Sequence, residues 1–332
     1  MFFRRRAIAV LVFSLLMLGV PVRAADPVPS VVVSIKPIHS LVSGVMAGAG
    51  EPVLLIPDTA SPHDHALRPS DARALEEADA VFWVGDLMEG FLSDALDTLA
   101  GRATVVTLID TPGIDFLALR EGGVWETHDH GDHGHDTHDE ETHAHEKHDH
   151  DDAHGHDDEP VNAHVWLDPT VAKRIVARTV DVLSTIDPAR ISIYKTNADA
   201  LLKRLDALDE EIAALLEPVR ERPFIVFHDA YPYFERRYGL TVRGSITLDP
   251  DHSPGARRVA DLRDVIVGRH AVCVFAEPQF EPAIVTSLIE GTPARSGQLD
   301  PIGVGLLPGP DVYFQMMRRN AEAMRDCLDP TT

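Results

Sequence analysis

The sequence predicts an α/β protein of two lobes with mainly parallel sheets, joined by a long rigid helix, with a cleft between the lobes. Three observations carry this. Short β-rich runs alternate with helical stretches on both sides of one low-complexity acidic tract, residues 126–159, and that alternation is the pattern of layered parallel sheets. Between the two alternating regions, from Pro188 to Leu216, apolar residues recur at spacings of three and four: Tyr194, Ala198, Leu201, Leu205, Leu208, Ile212 and Leu215. Finally, 332 residues with 44% hydrophobic content suffice for roughly two ordinary domains, each large enough for its own core.

At the start, Arg4, Arg5 and Arg6 precede an apolar run from Ala7 to Val22, which ends at Val22-Arg23-Ala24. Small residues at the first and last of these positions, three and one before the cut, fit a signal peptide, residues 1–24, cleaved after Ala24. About 16 apolar residues fall short of the roughly 20 that span a bilayer, and no second such stretch follows. Neither cysteine stands at the cleavage point, so the mature chain is expected to be exported and not membrane-anchored.

Residues 25–186 then read as the N-terminal lobe, with strands at Val31–Ile35, Val53–Ile56, Ala80–Val84 and Thr104–Leu108 and a helix over Asp71–Asp79. Phe82 and Trp83 belong in its core, and His39, after Lys36-Pro37, at a helix start. The stripe places a linking helix within 187–220. Pro188 suits its first turn and Pro218 its stop. Its position favours a strut that packs on both lobes, although the periodicity also allows a coiled-coil arm. Residues 221–332 form the second lobe, with strands at Phe224–Phe227, Thr241–Ile246, Val272–Ala276 and Ala294–Leu299 and helices near 254–267, 281–290 and 311–328. Cys273 and Cys327 are the two cysteines of an exported chain, and an oxidising compartment pairs them. Closing that loop is worth about 4 kcal/mol in the chain-entropy account.

Net charge is −23 and becomes −27 once the four arginines of the leader are removed, which disfavours nucleic acid as a partner. The tract supplies much of it: 14 acidic residues against Lys147. It also holds His128, His130, His133, His135, His138, His143, His145, His148, His150, His154 and His156. With almost no apolar residues it reads as a flexible loop that collects several divalent ions loosely, because each ion must order chain.

A tight site needs ligands held by a fold. His63 in Ser61-Pro62-His63-Asp64-His65 follows a strand, His164 in Asn162-Ala163-His164-Val165-Trp166-Leu167-Asp168-Pro169 precedes a helix, and His228 in Phe227-His228-Asp229-Ala230-Tyr231 ends a strand. Ligands of open α/β sheets bind beyond the carboxyl ends of the strands. Each histidine alone could be a capping or surface residue; three such placements in a chain with a metal-attracting tract favour one shared metal site. Glu277, at the end of a strand, either orients a ligand histidine or is an ordinary turn carboxylate.

The segments SPHDHALRPSDA, NAHVWLDP, PFIVFHDAYPYFERRYGL, CVFAEPQFEPA and GQLDPIG, in this order around a His/Asp-rich insert, resemble the zinc-specific periplasmic binding proteins of ABC importers (ZnuA type). The resemblance implies a periplasmic carrier, a monomer, that binds Zn²⁺ between its lobes through His63, His164 and His228 and delivers it to a membrane permease. It implies small lobe motion about the stiff helix. It also points to Asp300, the position that completes the shell in manganese and iron relatives, as a fourth ligand beside water or His65. Pro62 stands where some members carry a glutamate, so that ligand is absent here. Neutral imidazoles suit zinc; manganese or iron would ask for more oxygen, and copper remains chemically open. Three histidines and water also describe a zinc hydrolase, though no paired H-E-x-x-H motif occurs, and a metal buffer working through the tract alone is a further alternative.

Overall fold

The computed structural model describes residues 27–57, 61–120, 161–247, 255–268, 270–280 and 283–329. The expected leader and the histidine-rich tract lie outside the described residues.

The first lobe runs β1 (Val31–Val33), α1 (Lys36–Met46), β2 (Val53–Leu54), α2 (Pro69–Glu77), β3 (Ala80–Trp83), the short helices α3 (Asp86–Glu89) and α4 (Ser93–Leu99), and β4 (Thr104–Thr107). Its sheet is parallel throughout, in the order β2-β1-β3-β4. Then come α5 (Pro169–Ile186) and α6 (Ile191–Leu216). The second lobe runs β5 (Phe224–His228), α7 (Pro232–Tyr238), β6 (Val242–Thr247), α8 (Ala256–Gly268), β7 (Cys273–Ala276), α9 (Ala283–Ile289), β8 (Arg295–Gln298) and α10 (Val312–Leu328). Its sheet, β6-β5-β7-β8, repeats the order of the first and is also parallel. In both lobes the order reverses between the first and third strands, so each sheet has its own crevice at those carboxyl ends.

The eight expected strands are present with ends that differ by at most two residues, and Phe82 and Trp83 are buried. His39 lies in the first turn of α1, buried, with Nε2 2.9 Å from the carbonyl of Pro52. The linking helix begins later than the expected first turn at Pro188: Pro188–Arg190 is a 3₁₀ turn, and α6 covers 26 residues, about 39 Å at 1.5 Å per residue. Its buried face holds Tyr194, Ala198, Leu201, Leu205, Leu208 and Ile212, but Leu216 replaces Leu215 at the end. The apolar line drifts because 3.6 residues per turn does not match a strict alternation of three and four.

The interior departs from the idea of one core per lobe. A single hydrophobic cluster runs from Val31 through α5 and α6 to Leu328, and only a smaller cluster around Ile225, Leu262, Val274 and Leu288 is confined to the second lobe. The cause is the helix layer: α6 packs on α1 of the first lobe, on α5, and on α10 of the second, while α10 also touches α1. A Cβ on Gly44 of α1 would lie 3.0 Å from Cδ2 of Leu201, so glycine lets those helices approach. Cys273 of β7 and Cys327 of α10 are joined in a disulfide with Cα atoms 6.0 Å apart, fixing the last helix to the second sheet. Among the described residues no helix is long and apolar enough to cross a membrane.

Candidate metal centre

His63, His164 and His228 converge at the junction of the lobes, each offering a ring nitrogen within 4.8 Å of the other two. His228 is the last residue of β5, a strand whose five residues are all buried, so its ring projects from the switch point of the second sheet. His164 stands just before a 3₁₀ turn, Val165–Leu167, which leads into α5. That start is fixed by Asp168, whose carboxylate accepts from Thr170 N–H at 2.7 Å, and by Pro169 in the first turn. His63 lies half-buried on the segment between β2 and α2, where its amide donates to Ser61 Oγ at 3.2 Å.

Two of the rings are oriented by neighbours. His228 Nδ1 lies 2.6 Å from Glu277 Oε1, and His164 Nδ1 lies 3.0 Å from Asn162 Oδ1. Both Nδ1 atoms therefore face acceptors and carry the proton, leaving Nε2 of each ring as the lone-pair donor. These Nε2 atoms face each other across 3.2 Å. Two nitrogens bound to one tetrahedral zinc at about 2.0 to 2.1 Å stand about 3.3 Å apart, so the pair is already spaced for an ion. Ring centroids of His63 lie 5.5 Å from His164 and 5.9 Å from His228. Burial, then the charges of His228 and His63, hold the His164 imidazole well below its ordinary pKa, in the neutral form that metal binding requires.

Asn162 links the two buried histidines: Oδ1 also accepts the His164 amide at 3.0 Å, and Nδ2 donates to the Asp229 carbonyl at 2.6 Å. Sequence reasoning quoted this residue inside a motif without giving it a role; its place two residues before a candidate ligand, the spacing of a local Asx bond, was the available signal.

The family model for the periplasmic zinc-uptake complex component A, ZnuA, matches residues 31–327. The chain belongs to the ZnuA family. Among its relatives, the high-affinity zinc uptake system protein ZnuA of Brucella abortus (strain 2308) is 48% identical over 304 residues, covering 90% of this chain and 91% of the relative. That of Yersinia pestis is 36% identical over 324 residues, covering 95% of each. A crystal structure of ZnuA, 24% identical, superposes with a TM-score of 0.73 over 91% of this chain and all of the other. The solute-binding protein FpvC of Pseudomonas aeruginosa in complex with Mn²⁺, 21% identical, gives 0.73 over 92% and 100%. At such identities the structural likeness carries the two-lobed ZnuA fold and says nothing of the ion.

Of the other candidate ligands read from the sequence, His65 and Asp300 lie outside the converging trio in this ZnuA-family fold. His65 turns its ring edge-on to Phe91, with centroids 5.4 Å apart, and its Nε2 is buried without a hydrogen-bond partner among the described residues. Asp300 is outside the group of converging ligand atoms, and its carboxylate accepts backbone amides of Ile302, Gly303 and Val304. Glu277 does orient a histidine of the trio; the turn-carboxylate alternative leaves its bond to His228 unexplained. The eleven tract histidines fall outside the described residues.

Proposed function

We propose that this protein captures Zn²⁺ in the periplasm through His63, His164 and His228 and hands it to the membrane permease of an ABC-type zinc importer. The observation that carries the reading is the Nε2 to Nε2 approach of 3.2 Å between two buried imidazoles whose other nitrogens face acceptors. Like groups with lone pairs aimed at each other are unfavourable unless something positive stands between them, and three neutral imidazoles are a ligand set that suits zinc. Relatives that cover nine-tenths of the chain are named high-affinity zinc uptake proteins, which supports the same cargo here. The protein is a carrier, so no bond is broken. It travels as a monomer after loss of residues 1–24.

The test is calorimetric titration of zinc into His164→Ala and His228→Ala. Each substitution is expected to lower the affinity of the tightest site at least tenfold, about 1.4 kcal/mol, with the circular dichroism of the fold retained. Unchanged affinity in either variant removes that residue from the ligand set.

A further inference from the structure

Asp300 opens the loop between β8 and α10, and its carboxylate is fully engaged there. Oδ1 accepts the amides of Ile302 at 3.0 Å and Gly303 at 2.9 Å, and Oδ2 accepts that of Val304 at 2.5 Å. The main chain on either side is pinned. Asn320 of α10 accepts the Asp300 amide at 2.8 Å and donates to its carbonyl at 2.7 Å, while the Trp166 indole donates to the Pro301 carbonyl at 2.8 Å. Rotating out of this cradle would strip the carboxylate of all three amide donors, and the pinned main chain keeps those donors in place.

The cradle is held shut from the opposite lobe. Lys36, the first residue of α1, is buried, and its Nζ donates to the carbonyls of Gly303 at 2.8 Å and Leu306 at 3.0 Å. Gly303 has a φ of 78°, and a Cβ there would lie 3.1 Å from Val312 Cγ1 and 3.8 Å from the Lys36 chain. The left-handed turn and the lysine thus fit one another. The Lys36 ammonium and the Asp300 carboxylate also attract each other as opposite charges. Asp300 lies beside the segment that carries Glu277, the partner of His228: Gln279 Nε2 stands 3.5 Å from Asp300 Oδ1.

We propose that Lys36 is a specificity-determining residue: by pinning the 302–306 loop across the lobe junction it keeps Asp300 in its amide cradle and out of the coordination shell, so the ion meets nitrogen ligands only. The inference rests on the reading of His63, His164 and His228 as zinc ligands. Its chemical content is the difference between ions. Imidazole serves zinc well, whereas adding a carboxylate oxygen moves a site toward manganese and iron. Without the ammonium, Asp300 becomes an uncompensated buried charge beside an incoming dication, and binding the ion relieves it.

The experiment uses the full chain as wild type, Lys36→Met, Asp300→Asn and the double variant, with Zn²⁺, Mn²⁺ and Co²⁺ as probes read at the first equivalent. Lys36→Met keeps the length and packing of the side chain and removes its charge and donors. It is expected to narrow the ratio of zinc to manganese affinity at least tenfold and to weaken the Co²⁺ visible bands, as a higher coordination number does. Asp300→Asn alone is expected to leave zinc affinity within threefold and the Co²⁺ spectrum unchanged, and in the double variant it should cancel the effect of Lys36→Met. If Lys36→Met does not fold, Lys36→Gln replaces it and is expected to shift ratio and spectrum in the same direction. An unchanged ratio and spectrum in the folded Lys36 variant overturns the proposal, and so does a tenfold loss of zinc affinity in Asp300→Asn with Lys36 intact. A His228→Ala control separates the two levels: if it too leaves zinc affinity unchanged, the ligand reading has failed, and if it alone abolishes tight binding, only the role of Lys36 has.

Discussion

Glu277→Gln isolates the contribution of a buried charge placed behind a metal ligand. Glu277 is 2% exposed, its Oε1 lies 2.6 Å from Nδ1 of His228, and its Oε2 is buried without a hydrogen-bond partner among the described residues. Burial pushes its carboxyl up, and the neighbouring His228 pulls it back down. Glutamine keeps the volume and an acceptor but removes the charge that strengthens the bond when His228 binds a dication. A hydrogen bond to a charged group is worth about 1.5–3 kcal/mol against about 0.5–1.5 for a neutral one, so the loss is about 1–1.5 kcal/mol. That corresponds to roughly a five- to tenfold weaker zinc affinity, at the low end of the roughly 10–100-fold cost of losing such partners. Glu277→Ala, which also frees the ring to rotate, should approach about 100-fold. Competition with a chromophoric chelator at neutral pH reads both. The apo protein should melt no lower in Glu277→Gln, because a buried charge has been removed. Zinc affinity within twofold of wild type, in a preparation where His228→Ala loses tight binding, would show that packing alone orients the ring and would refute the argument.

Two further expectations concern pH and the tract. Glu89, at the switch point of the first sheet, accepts Ser34 Oγ at 2.5 Å and the amides of Val84 and Gly85, yet burial raises its pKa to about 7. A carboxyl whose folded value lies above its unfolded value contributes stability that is fully present below about pH 4.5 and is lost as pH rises through about 7, a change on the order of 3 kcal/mol. Glu89→Gln is therefore expected to flatten the dependence of the apo melting temperature on pH between 5 and 8; an unchanged slope transfers the effect to Glu235, also raised to about 7. Deleting residues 128–156 is expected to leave one tight zinc site and remove the weaker ones in a titration, and loss of the tight site would make the tract a source of a primary ligand.

The two sheets and the strut were legible because each rests on a local pattern: short β-rich runs alternating with helical stretches for the strands, and an apolar stripe at spacings of three and four for α6. The three histidines were legible for a related reason, since strand ends and helix starts can be read and ligands gather there. What the sequence withheld depends on contacts between distant residues. Glu277 could be read as a possible orienting carboxylate but not assigned to His228, 49 positions away, and Lys36 and Gly303 are 267 apart. Nothing in the neighbourhood of Lys36 indicates that its ammonium crosses to the other lobe, and nothing near Asp300 reveals that its own loop would occupy it. The shared core was missed likewise, because which residues of α1, α6 and α10 meet is decided by how the lobes dock.

The two lobes share a strand order, yet among the described residues only one switch point carries histidines that could hold an ion. In the second sheet His228 and Glu277 stand at the crevice with a ring nitrogen facing outward, while in the first the corresponding place is closed by Ser34 and Glu89, whose polar atoms satisfy one another and the adjacent amides. The first lobe accordingly contributes through the segment after β2, which carries His63, and not through its own crevice. A wide hinge would have to open the continuous cluster that joins α1, α6 and α10, and burial on that scale outweighs what one ion could return. Capture at the proposed site is therefore expected to be an adjustment of side chains. His164 and His228 already stand 3.2 Å apart, with orientations fixed by Asn162 and Glu277, so little freedom is lost when they bind.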